Sequence, residues 1–98
     1  MGRLRGALAR HGGLTVVGYT RNDLDVWSEV MARSLTCAGV TAESTVHVSY
    51  GYGLFTGGLG AHDGASRIGA KVVPASSGNT ARQLMLLKDF KATTLCCT

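Results

Sequence analysis

Residues Tyr50 to Gly60 read YGYGLFTGGLG, placing five glycines and three of the chain's six aromatic side chains in one short stretch. Two chemistries suit that composition. Glycine-rich turns let backbone N–H groups reach a phosphate, and they also let a flat apolar group approach the main chain between aromatic side chains. A dinucleotide site requires Gly-x-Gly-x-x-Gly and an acid at the end of the next strand, where it holds the ribose. Gly51 and Gly53 fit the first two positions, but the sixth is Thr56, and the next apolar run ends Pro74-Ala75-Ser76 with no acid. A P-loop requires a Gly-Lys pair, which this sequence does not contain.

The other chemistry-bearing residues are scattered. His47 lies inside an apolar run and reads as a packed, hydrogen-bonded imidazole. His62 and Asp63 are neighbours on a helical segment and so point to different faces. No serine or cysteine stands in an elbow motif beside them, which leaves nucleophilic catalysis without support and gives no catalytic residue. The loop ASSGNT, Ala75 to Thr80, looks like the serine-glycine-threonine loop that some adenylating enzymes wrap around phosphates. It lacks the second glycine, and helix capping explains Ser77 and Asn79 equally well. Cys37, Cys96 and Cys97 have no metal-ligand spacing with a histidine and read as free thiols of a reducing cytoplasm.

Length and charge narrow the classes further. The 98 residues allow one small domain, and 45% hydrophobic with 16% charged residues argues for folding over disorder. Much of the formal net charge of +4 comes from Arg3, Arg5 and Arg10. We therefore separate a basic arm, residues 1–13, from a single α/β partial domain, residues 14–98. No basic stripe with interleaved aromatics follows the arm, so nucleic acid is not an expected partner. No signal peptide and no apolar run of about 20 residues is present, so a membrane is not expected either and a cytoplasmic location is.

The elements that must position these residues alternate along the chain. LTVVGY, Leu14 to Tyr19, is a β-branched run bounded by glycines and reads as a strand. Thr20-x-x-Asp23 is a capping pattern that opens a helix carrying Leu24, Trp27, Met31 and Leu35 on one face, with Glu29 placed to pair with Arg33. Gly39 is its natural stop. Thr45 to Tyr50 reads as a strand covered on both faces. Phe55 to Ile68 reads as a helix despite its glycines, Ala70 to Ala75 as a strand, Ala81 to Phe90 as a helix and Ala92 to Cys97 as a last strand. The order β-α-β-α-β-α-β predicts the α/β class, with a parallel sheet of about four strands and helices on its faces. A terminal strand with a bare edge reads as one piece of a larger domain, prone to homo-oligomerise through its exposed edges.

Three quoted stretches carry a resemblance. TVVGYTRNDLDVWSEVMARSLTCAGV, YGYGLFTGGLGAHDGASRIGAKVVPASSGNT and RQLMLLKDFKATTLCCT together resemble the phenylacetate-CoA ligases, AMP-forming acid-thiol ligases of the adenylate-forming superfamily. The resemblance implies a slab of that family's large amino-terminal α/β domain. It implies a reaction in which phenylacetate and ATP give an acyl adenylate and pyrophosphate, and CoA then displaces AMP. Magnesium accompanies ATP; none of these groups is expected to be bound by the fragment itself. The family's phosphate loop precedes the strand matching Thr15 to Tyr19, and ARHGGL, Ala9 to Leu14, departs from its pattern. The resemblance further implies that Tyr50 and Phe55 wall an aryl-acid pocket, with Ala61 as the small residue leaving space. A fragment of this kind is expected to be inactive alone. The rival readings are a non-catalytic α/β binding or assembly module and, more distantly, a dinucleotide-binding oxidoreductase domain.

Overall fold

The computed structural model describes residues 3–8, 14–52 and 56–97. Strand β1 (Arg3–Leu8) and strand β2 (Leu14–Tyr19) are followed by helix α1 (Arg21–Cys37), strand β3 (Thr45–Val48) and helix α2 (Thr56–Ile68). Strand β4 (Lys71–Val73), helix α3 (Thr80–Asp89) and strand β5 (Thr94–Cys96) complete the chain. The class is α/β, as the alternation implies.

A parallel sheet of order β4-β3-β5 forms the centre. β3 pairs with β4 through Thr45↔Lys71, Val46↔Val72 and His47↔Val73, and with β5 through Val46↔Thr94, His47↔Leu95 and Val48↔Cys96. The expected first strand does form, but it does not join this sheet. β2 instead pairs antiparallel with β1, from Arg3↔Tyr19 to Leu8↔Leu14. Among the described residues the parallel sheet therefore has three strands, and residues read as a basic arm supply a strand of their own. The physical reason is proximity along the chain, because a short connection makes an antiparallel hairpin far cheaper to close than a distant parallel register.

The central strand explains the layering. Val46 and Val48 are fully buried on one face, where Ala61 and Ala65 of α2 complete a cluster with Leu35 and Val40. Each fully buried valine contributes about 1.5–3 kcal/mol relative to exposure. His47, also fully buried, points to the opposite face by the two-residue period of a strand and meets Gln83 of α3. The expectation of a strand covered on both faces is met.

Helix α1 packs on α2 and only weakly elsewhere, with further contact to β2. Its start is the expected capping box: the Asp23 N–H donates to Thr20 Oγ1 at 3.1 Å and the Thr20 N–H to Asp23 Oδ2 at 2.9 Å. Glu29 forms an ion pair with Arg33 at 3.7 Å as the spacing implies, and another with Arg67 of α2 at 3.4 Å. Gly39 takes φ +103° just beyond the helix end, a conformation glycine adopts without penalty.

Two glycines set the α1–α2 separation. A β-carbon on Gly60 would stand 2.8 Å from the Trp27 ring, and one on Gly64 would stand 2.7 Å from the Met31 Cβ and 3.0 Å from its carbonyl carbon. Their missing side chains admit the neighbouring helix. Ser28 Oγ adds a hydrogen bond to the Asp63 carbonyl across the same contact, at 3.4 Å.

Candidate functional site

All three strands of a parallel sheet end at the same edge, and in open α/β sheets that carboxyl edge is where ligands bind. Here it gathers Ser49, Tyr50, Gly51 and Tyr52 after β3, the loop Pro74 to Asn79 after β4, and Cys97 after β5. Tyr50 to Tyr52 and Ala75 to Asn79 come from the two distant motifs that sequence reading singled out.

Tyr50 is half-buried and packs against the core cluster. Its hydroxyl donates to the Cys97 carbonyl at 2.9 Å, tying the β3 end to the β5 end. A β-carbon on Gly57 would lie 3.3 Å from the Tyr50 ring, so that glycine lets the ring pack closely against the first turn of α2. Gly58 serves the main chain instead: its β-carbon would fall 2.5 Å from the Gly51 carbonyl oxygen. The glycine pattern is therefore divided, with Gly57 and Gly58 against the Tyr50–Tyr52 segment and Gly60 and Gly64 against α1. Of the expected pocket residues, Ala61 is 3% exposed and stands in the core beside Val46 and Val48. Phe55 lies outside the described residues.

Tyr52 adds a polar pair that sequence reading did not assign. Its hydroxyl meets His62 Nδ1 at 3.1 Å, and the two rings stand edge to face at 86° with centroids 5.8 Å apart. Burial, then the neighbouring Asp63 charge, then Cys96 push the Tyr52 phenol up to about 12. Burial and the adjacent Cys97 likewise raise the Cys96 thiol.

The loop before α3 holds an unusual backbone. Ser76 has φ +62°, Gly78 +89° and Asn79 +45°, and the two non-glycine residues each carry roughly 1–2 kcal/mol of left-handed strain. Capping and side-chain clamps offset it. Asn79 Oδ1 accepts the Arg82 N–H at 3.1 Å, fulfilling its expected capping role, and the Arg82 guanidinium donates to the Ala75 carbonyl at 2.9 Å. The Ser76 N–H donates to Val48 O at 3.1 Å, which fastens the loop to β3.

Elsewhere, a cleft of about 470 Å3 runs along the open edge of β4 between Thr45, Val72, Pro74 and Phe90. Among the described residues no group of three or more His, Cys, Asp or Glu side chains is placed to hold a metal ion, and no helix is long and apolar enough to cross a membrane. Cys37, Cys96 and Cys97 are free.

No protein-family model matches the chain. Sequence comparison finds relatives at high identity. The chain is 53% identical over 89 residues to the phenylacetate-coenzyme A ligase of Escherichia coli, a match covering 91% of this chain and 20% of that enzyme. It is 52% identical over 96 residues to the phenylacetate-coenzyme A ligase of Thermus thermophilus, covering 98% of this chain and 22% of that one. Among solved structures it is similar to 2-hydroxyisobutyryl-CoA ligase in an open conformation in complex with 2-HIB-AMP and CoA. That likeness has a TM-score of 0.88 at 27% identity, over 98% of this chain and 22% of the ligase. The chain thus spans about a fifth of the length of the curated relatives it matches, and the widest matches take in residues of its amino-terminal arm.

Proposed function

We propose, for a chain whose sequence and fold are those of one segment of the phenylacetate-coenzyme A ligase family, that it supplies part of the wall against which an aryl acid packs and forms no acyl adenylate by itself. The observation that carries the reading is the placement of Tyr50: half-buried at the carboxyl edge, its ring against Gly57 and its hydroxyl engaged by Cys97. A ring packed against Gly57 and held at its hydroxyl is a fixed surface for a second flat ring, and offset or edge-on stacking of that kind contributes about 0.5–1.5 kcal/mol beyond area burial. Phe55 and Ala61 are the other proposed wall residues, Ala61 as the small residue that leaves space.

Adenylation asks for more than this edge offers. The acid's carboxylate oxygen attacks the α-phosphate of ATP and pyrophosphate leaves, a step stabilised by fixed cations and N–H donors around the phosphates. Magnesium, which would neutralise them, would accompany ATP in the whole enzyme. The proposed role is therefore acid binding within a complete ligase, with ATP and CoA as substrates of that whole enzyme.

Saturation-transfer NMR of the 98-residue protein with phenylacetate tests the wall. Transfer to the aromatic ring protons, weakened severalfold in Tyr50→Ala, is the expected result; no transfer at all overturns the assignment. A pyrophosphate-release assay with phenylacetate, ATP and magnesium should stay at background, and turnover by the pure chain would overturn the claim of inactivity.

A further inference from the structure

Gln83 is unmarked in the sequence, where it is one more polar residue on an amphipathic helix. In the structure its side-chain amide makes four hydrogen bonds to two different segments. Nε2 donates to the Ser76 carbonyl at 2.7 Å and the Gly78 carbonyl at 3.2 Å. Oε1 accepts from Ser49 Oγ at 3.1 Å and bonds His47 Nε2. Both amide hydrogens and both lone-pair directions of the oxygen are thereby used.

The orientation of that amide is fixed by chemistry. Only an NH2 group can face two carbonyl oxygens, so the oxygen must face Ser49 and His47, and His47 must carry its proton on Nε2 to donate to it. His47 Nδ1 is then a bare acceptor, and among the described residues it is fully buried without a partner. Such a site tolerates the Nε2–H tautomer far better than the other, which would bury an unpaired N–H.

We propose that Gln83 is the positioning residue of the carboxyl edge: it locks the His47 tautomer and joins the end of β3 to the left-handed loop Ser76–Asn79, so that the two walls hold one geometry. A glutamate in its place has no hydrogen to give Ser76 and Gly78 and would set a carboxylate against both carbonyls. A leucine fills the space but satisfies neither side. The Arg82 side chain anchors only Ala75, upstream of the left-handed residues, and cannot substitute. The consequence for a bound acid rests on the reading of this edge as a binding site. The linkage itself does not, since it is read with no ligand present.

Long-range 1H–15N NMR of the histidine rings in the unmodified 98-residue protein comes first. His47 is expected as the neutral Nε2–H tautomer, and a dominant Nδ1–H form overturns the proposal without any variant. In Gln83→Leu the tautomers should mix and the amide of Ser76, which donates to Val48 O at 3.1 Å, should exchange about tenfold faster or more, as expected when a local clamp opens. Arg82→Ala should leave the His47 signal unchanged. Retained tautomer and unchanged exchange in a folded Gln83→Leu protein would overturn the proposal. Should Gln83→Leu fail to fold, Ser49→Ala serves instead. It frees one lone pair of Oε1 while leaving His47 bonded, so the Nε2–H tautomer must persist, and its loss would equally count against the proposal.

Discussion

Gly64 of α2 and Met31 of α1 are in direct backbone-to-backbone apposition, closer than any alanine at position 64 would allow. The obstacle at 3.0–3.1 Å includes the Met31 carbonyl carbon and the Ala32 nitrogen, which cannot rotate away. Gly64→Ala should therefore cost about 1–3 kcal/mol through helix separation, outweighing the roughly 1 kcal/mol that alanine gains in helix propensity. At Gly60 the obstacle is the Trp27 side chain, so Gly60→Ala should cost less. Urea denaturation of the two variants gives the order, and equal or reversed losses would refute the packing argument.

Alkaline pH should weaken the fold through Tyr52. Its phenol ionises near 10 in the unfolded chain and at about 12 in the folded one, so the native state holds its proton more tightly. The stability this confers is fully present below pH 10 and is lost as pH rises through 12. Absorbance at 295 nm should show a late ionising tyrosine that disappears in Tyr52→Phe. If the late step persists in that variant, the assignment to Tyr52 fails.

The capping box predicts a measurable loss at the start of α1. Thr20→Ala removes the acceptor for the Asp23 N–H and should destabilise by typically about 1 kcal/mol. Thr20→Ser, which keeps the hydroxyl, should restore most of it in thermal unfolding.

Tyr50→Phe removes only the hydroxyl bonded to Cys97 and keeps the ring against Gly57. The expected cost is about 0.5–1.5 kcal/mol, concentrated as faster exchange of the Ser49 amide, which donates to the neighbouring Cys96 carbonyl at 2.8 Å. Phenylacetate contact should survive undiminished in this variant while weakening severalfold in Tyr50→Ala.

What was readable in the sequence was what local chemistry determines. Thr20-x-x-Asp23 and the Trp27–Met31–Leu35 spacing located α1, and Val46 and Val48 on either side of His47 marked a strand buried on both faces. The partner of β2 was not readable, because a β-branched run specifies a strand and says nothing about which neighbour closes on it first. The glycines were half legible: their number showed that something comes close to α2, but only the fold shows that Gly60 and Gly64 admit a helix. Gln83 left no trace, since its importance comes from Ser76, Gly78 and Ser49 converging on it from other segments. The motif YGYGLF reads as an aromatic surface, and Tyr50 and Tyr52 are its described aromatic residues.

The brevity of the two outer strands has a last consequence. β4 and β5 are three residues each, whereas stacked fibrillar zippers draw on segments of about six or seven. An incoming strand would register on so short a border through few main-chain bonds before running past it. Clumping of this protein should therefore be governed by greasy side chains such as Leu84, Met85 and Leu95, which are half-exposed or more. It should respond to temperature and detergent, and it should scatter light without binding thioflavin.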